Sequence, residues 1–275
     1  MAGAFPMQST LEAVLDLATR APSAGNSQPW RWLVDHRGLH LYADYSRATG
    51  AAPRDMLLSC GAVLDHCVVA LAAAGWFPRV HRFPEPVEDG HVALFEIIEQ
   101  PPRRVDAELS AAISGRRSDR RPFLGRRLPA GTLELLDART ARMGVEFGVV
   151  PKIRWSHRDD GDVGLHYRGA APDPGADGAV LIVLGTGNDD EFAQLRAGEA
   201  LSHLVLSAIA MGLASCPLTE PLHDPGNRLA LACEVFDANA YPQALIRIGL
   251  PADDLAPPAP TARRPAHETT TWIRD

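Results

Sequence analysis

Apolar side chains recur along this chain with two periods, one near 3.6 residues and one of 2, and the switches between them mark its elements. Leu11, Val14, Leu15 and Ala18 fall at helical spacing behind Ser9, and Glu12 stands three residues after that serine. A helix is therefore expected with a capping box at its start, stopping before Pro22. Residues 29–44, PWRWLVDHRGLHLYAD, alternate on both sides of Arg37 and Gly38 and predict a strand, a turn and a second strand. Residues 61–77 form the longest apolar stretch; broken by Asp65 and His66 and too short to span a bilayer, it reads as a buried helix. Residues 178–185, GAVLIVLG, are a continuous apolar run bounded by glycines, as in a strand covered on both faces.

The pattern is written twice. GAVLDHCVVALAAAGW from Gly61 and GEALSHLVLSAIAMGL from Gly198 agree at six of sixteen positions, among them His66 with His203 and Gly75 with Gly212. Ahead of these lie TLEAVLDLATR from Thr10 and TLELLDARTAR from Thr132, and behind them ALFEI from Ala93 and ALIRI from Ala244. Three matches in the same order, helix then long helix then strand, predict an internal duplication. The join is expected at residues 100–104, where two prolines and two arginines precede a new helix beginning near Asp106, which divides the chain into halves 1–103 and 104–275.

Composition changes this picture little. With 46% hydrophobic and 22% charged residues the chain reads as a folded globular protein. The N-terminal MAGAFPMQST lacks the basic and apolar regions of a signal peptide, so a cytoplasmic location is expected. A net charge of -7 argues against nucleic acid as a partner, leaving polyanion recognition to local arginine clusters. Cys60, Cys67, Cys216 and Cys233 form no CxxC pair and are expected as reduced core thiols, and no histidine spacing suggests a metal site.

Two segments carry candidate chemistry. APSAGNSQPW, residues 21–30, is a loop of small and short polar residues that lets backbone groups approach a flat polar ligand, with Ser23 and Asn26 as adaptable partners; an ordinary turn has the same composition. RRSDRRPF, residues 116–123, clusters guanidinium groups beside a hydroxyl, which suits a phosphate, although a solvated basic linker reads the same way.

These segments, with LRAGEALSHLVLSAIAMGLASCPLTEPL near the end, resemble the flavin-dependent nitroreductases, and their split between the two halves is similar to the Acg-like branch. The resemblance implies an α+β, three-layer α/β/α fold in which two fused nitroreductase-like repeats form an intramolecular pseudo-dimer with one shared FMN site. It implies that Arg116, Arg117, Ser118 and Arg120 hold the phosphate and ribityl chain, and that Pro22, Ser23, Ala24 and Asn26 line the isoalloxazine. It matches Leu218, Thr219 and Glu220 to the stretch approaching flavin N5, where the family often has Glu-Gly, and brings Arg263 or Arg264 of an extended Pro-rich tail back to the phosphate. Between Val150 and Gly178 there is no clear counterpart of the long segment that covers the flavin in Acg-like proteins, and the stretch reads as joined fragments without periodicity.

Two functions follow from the resemblance. One is NAD(P)H-dependent two-electron reduction of a nitro- or quinone-type small molecule, with FMN carrying the chemistry and no catalytic acid or base nominated. The other is FMN sequestration or storage, without nicotinamide-driven turnover. Fusion removes the usual need to dimerise, so a monomer or a homodimer is expected, with neither membrane nor nucleic acid as partner. A Rossmann reading of GTGNDD from Gly185 fails because the third glycine is absent and Asp189, Asp190 and Glu191 stand where a pyrophosphate would meet a helix. No GxSxG elbow supports an acyl hydrolase.

Overall fold

A computed structural model describes residues 5–47, 52–86, 88–167, 177–252 and 256–273. Along the chain run α1 (Gln8–Ala18), β1 (Trp30–Asp35), β2 (Gly38–Ala43), α2 (Pro53–Ala73), β3 (Trp76–Arg82), β4 (His91–Glu99) and α3 (Arg104–Gly115). Then follow α4 (Thr132–Ala141), β5 (Glu146–Val149), β6 (Trp155–His157), β7 (Val163–Leu165), β8 (Val180–Thr186), α5 (Glu191–Ala210), β9 (Ala214–Leu218), α6 (Pro225–Phe236), β10 (Tyr241–Gly249), α7 (Ala266–Thr269) and β11 (Thr270–Trp272). Two compact units result, one of Met1–Gly115 with Thr261–Asp275 and one of Arg116–Pro260.

The duplication is visible in strand order and register. The first unit has a five-stranded sheet ordered β11-β1-β2-β4-β3, and the second a four-stranded sheet ordered β5-β8-β10-β9. Phe95 of β4 lies between Leu39 of β2 and Val80 of β3, while Ile246 of β10 lies between Ile182 of β8 and Pro217 of β9. The paired helices α1 and α2, and again α4 and α5, pack against each other within their own units. Matched apolar faces thus recreate the same layered core twice, an α+β architecture whose central strands β2 and β8 are buried along almost their whole length. The second copy was expected to begin at residue 104, whereas the compact units divide after Gly115, because α3 packs on α2. The C-terminal segment also joins the first unit, where β11 pairs in parallel with β1.

Several local expectations need correction. The capping box does not form: Met7 is the N-cap of α1 without a side-chain bond, and Glu12 instead accepts from Gln8 Nε2 at 2.8 Å. The helix expected over residues 61–77 starts earlier, at Pro53, whose ring suits a first helical turn, and ends before Trp76 and Phe77, which enter β3. At 21 residues α2 is long and apolar enough to cross a membrane by composition, but 83% of its most apolar window is buried, as befits a core helix. Residues 155–165 form the β6–β7 hairpin where no periodicity was legible; residues 168–176 of that stretch lie outside the described ones. Cys60, Cys67 and Cys216 are buried, but Cys233 is exposed on α6 and is no core thiol.

One buried polar chain crosses the first sheet. His40 is fully buried and reaches Asp35 Oδ1 through Nε2 at 3.0 Å and His91 Nε2 through Nδ1 at 3.1 Å. His91 stacks on Tyr42, whose hydroxyl donates to Glu88 at 2.7 Å. Burial, and then the neighbouring His40, hold the His91 pKa below its ordinary 6.5, against the pull of Glu88. The unfolded chain therefore binds this proton first, so stability is complete above the ordinary histidine range and declines as pH falls through it. Asp35 titrates lower still: burial opposes its ionisation, but hydrogen bonds from Arg37 and His40 outweigh it. The urea midpoint is expected to fall between pH 7.5 and about 5.5, and His91→Gln should flatten that decline. A wild-type midpoint independent of pH over this interval would contradict the assignment.

Candidate functional site

In the first unit, α1 ends at Ala18 and the chain turns through a 3₁₀ segment, Ala24–Asn26, before entering β1. Gly25, Asn26 and Gln28 all have positive φ, at 57°, 55° and 49°. Only glycine takes this conformation freely, and asparagine tolerates it better than most residues, so the loop holds a shape that an ordinary turn would not require. No heavy atom lies within 4 Å of a Cβ built on Gly25, leaving the backbone open to close approach. The loop is fastened from beneath: the Ala24 N–H donates to Ser59 Oγ at 3.2 Å and the Gln28 N–H to Ser23 Oγ at 3.1 Å.

The C-terminal segment is stitched onto this loop. Arg263 Nη1 donates to Asn26 Oδ1 at 2.8 Å, Asn26 Nδ2 donates to the carbonyl of Ala262 at 3.2 Å, and the Arg264 N–H donates to Gln28 Oε1 at 2.8 Å. The structure thus brings Arg263 to Asn26. Arg264 lies beside them in the chain, and its guanidinium donates to the carbonyl of Glu268 at 3.3 Å.

In the second unit, residues 116–124 run beside two strand ends. Ser118 bridges to Ser215 of β9, the Asp119 N–H donates to the Ser215 carbonyl at 2.9 Å, and the Leu124 N–H donates to the Leu250 carbonyl at 3.0 Å. Arg116 is only 5% exposed and donates to Ser118 Oγ at 3.4 Å; Arg117 donates to the Arg116 carbonyl at 2.7 Å. The Ser215 hydroxyl is buried without a hydrogen-bond partner among the described residues. Arg120 forms an ion pair with Asp162 of the hairpin, and its carbonyl accepts from His157 Nε2 at 2.6 Å. Asp119 is held ionised below its ordinary range: burial acts against this, but Arg121 outweighs it with side-chain bonds of 2.7 and 2.9 Å.

What holds this segment is a pair that sequence reading missed. Arg247, fully buried on β10, donates to Asp177 Oδ2 at 2.6 Å and to the Arg121 carbonyl at 2.9 Å, while its guanidinium lies 4.6 Å from the centroid of the Phe123 ring. The other oxygen of Asp177 accepts from the N–H groups of Phe123 at 2.9 Å and Ala179 at 3.1 Å. Next to it, Gly178 must be glycine, since a Cβ there would stand 2.0 Å from the Leu124 carbonyl oxygen. The signal was an arginine inside the apolar run ALIRI; its partner, far off in sequence, carried none.

Leu218 ends β9, and Thr219 and Glu220 follow in a turn where the Glu220 carboxylate accepts from the Thr219 N–H at 3.1 Å. Pro22, Ser23, Ala24, Asn26, Arg263 and Arg264 lie in the first unit, and Arg116, Arg117, Ser118, Arg120, Leu218, Thr219 and Glu220 in the second. Burial pushes the Cys216 thiol up to about 11, with Arg247 and Arg120 pulling the other way, so it is no ready thiolate. The carboxylates of GTGNDD have structural work: Asp190 caps α5 by accepting from the Ala193 N–H at 2.8 Å, and Asp189 pairs with Arg228 and Gln243.

Comparison with known proteins agrees with this architecture. The model of the nitroreductase family matches residues 6–55. A Mycobacterium tuberculosis protein carrying the provisional name NAD(P)H nitroreductase Rv3131 is 38% identical over 98% of this chain and 93% of its own length. A second protein of that organism, provisionally named NAD(P)H nitroreductase acg, is 31% identical over 94% of each chain. Among solved structures, a provisionally named nitroreductase from Anabaena variabilis superposes with a TM-score of 0.58, covering 90% of both chains at 12% identity.

Truncating Arg247 leaves the Asp177 carboxylate buried without its cation. Arg247→Ala is expected to lower stability in urea denaturation by roughly 3 to 5 kcal/mol. A loss below about 1 kcal/mol would show that the pair does not hold the arginine-rich segment.

Proposed function

From the premise that this chain belongs to the nitroreductase family, we propose that it is an FMN-dependent oxidoreductase. In this reading NADH or NADPH is the electron donor, and a small nitro- or quinone-type molecule is the acceptor. The observation that carries it is the arginine-rich segment anchored by Arg247 and Asp177, with a buried hydroxyl of Ser215 still unsatisfied beside Ser118 among the described residues. Nearly buried Arg116 with Ser118 is a donor set suited to a phosphate ester, because charge-assisted bonds to phosphate oxygens offset the desolvation of a guanidinium.

Arg116, Arg117 and Ser118 would hold the phosphate and ribityl chain. Arg120, already neutralised by Asp162, would serve as a polar contact rather than as a free cation. Pro22, Ser23, Ala24 and Asn26 would line the ring system, with Arg263 fixing Asn26. Leu218, Thr219 and Glu220 would present backbone to its reactive edge. Bound FMN supplies two-electron chemistry at N5, and the chain's own part is binding, orientation and access. The two motif sets occur once each along the chain, which supports one FMN per chain.

Access of nicotinamide to the flavin is what separates turnover from storage. The alignment with acg runs over 318 positions against 275 residues here, so that relative carries residues without counterpart in this chain.

Anaerobic stopped-flow mixing with NADH and NADPH tests this reading, with dithionite as a control that the flavin is reducible. Hydride transfer requires nicotinamide C4 within about 3.5 Å of flavin N5, so rapid bleaching that saturates with nicotinamide concentration is expected. Bleaching by dithionite alone would replace this reading with FMN sequestration.

A further inference from the structure

In the second unit the β6–β7 hairpin faces the 3₁₀ turn Glu220–His223 and the first turn of α6, enclosing a cavity of about 400 Å³. That size lies in the range of small-molecule pockets. Val163, Leu165 and Pro221 give it an apolar lining, and Tyr167 adds an aromatic ring. That ring already attracts one cation, with the Arg154 guanidinium 5.5 Å from its centroid.

The charged groups on the wall are unbalanced. With Asp162 paired to Arg120, Glu220 and Asp224 face one guanidinium on the wall, Arg158, and the hairpin turn adds Asp159 and Asp160, both exposed. The carboxylates are held in place, each through one oxygen: Asp162 by Arg120, Glu220 by the Thr219 N–H at 3.1 Å, and Asp224 by the Gly226 N–H at 2.7 Å. An aromatic and aliphatic lining under a fixed negative rim matches an apolar body bearing a positive charge, and repels anions.

We propose that this cavity binds a small organic cation, a quaternary or protonated amine with an apolar body. The site lies within the second unit and shares Glu220 with the flavin reading, but direct binding of the cation is read without flavin reduction and so fails or succeeds separately from it.

Ligand-observed NMR titration of the purified full chain tests it, with benzyltrimethylammonium as probe and benzenesulfonate as an anion of similar size. Saturable cation binding is expected, at least about tenfold tighter than the sulfonate and weakened by added salt. Glu220→Gln combined with Asp224→Asn should weaken the cation about tenfold or more. Asparagine retains the oxygen that caps α6, and an unchanged thermal melt verifies the fold. If that variant does not fold, Glu220→Lys, a charge reversal at an exposed position, should abolish cation binding. No saturable binding of the cation, equal affinity for the sulfonate, or unchanged cation affinity in a folded variant would each overturn the proposal.

Discussion

Arg247 sits on a central strand with no solvent to reach, and a guanidinium in that position must find a carboxylate and carbonyl oxygens or cost the fold several kcal/mol. It finds Asp177 and the carbonyl of Arg121, and through them it determines where the arginine-rich segment runs. Asp177 is tied in turn to the N–H groups of Phe123 and Ala179. Six consecutive charged or polar residues, Arg116 to Arg121, would otherwise prefer water and mobility. The buried pair exchanges that freedom for a defined path along β9 and β10, and Arg116 and Ser118 inherit their positions from it.

Duplication supplied two similar scaffolds, and the two candidate motifs are divided between them. Register is shared down to the partners of Phe95 and Ile246, yet the small-residue loop exists only in the first unit and the arginine-rich segment only in the second. The chain exchanges segments as well. α3 and the C-terminal strand β11 both join the first unit, and the segment leading to β11 brings Arg263 to Asn26. The second sheet has no counterpart of β11 among the described residues, which is the main departure from simple repetition.

Elements written in local periodicity were legible: α1, the β1–β2 hairpin, the buried run that becomes β8, and the pairing of α2 with α5. Their apolar spacing is a property of neighbouring residues and survives without tertiary information. The start of α1 misled because Ser9 and Glu12 mimic a capping box, while the helix had already begun at Gln8. The β6–β7 hairpin was invisible because three-residue strands are too short to show alternation. Of the candidate site, both motif segments were readable. Asp177 and Ser215 were not, since their importance lies in what tertiary packing brings beside them: Arg247 across the core for one, and the bridge to Ser118 for the other.

The central claim is the proposal that the arginine-rich segment, which occurs once in the chain, reads the phosphate of a single FMN. Its most direct test is the flavin content of the full chain after reconstitution with excess FMN and removal of the unbound fraction, followed by denaturation and chromatographic identification of what is released. The account predicts FMN, at one molecule per chain. Two molecules per chain would mean that each unit holds its own, and equal retention of riboflavin in a parallel reconstitution would mean that the arginine-rich segment does not read the phosphate.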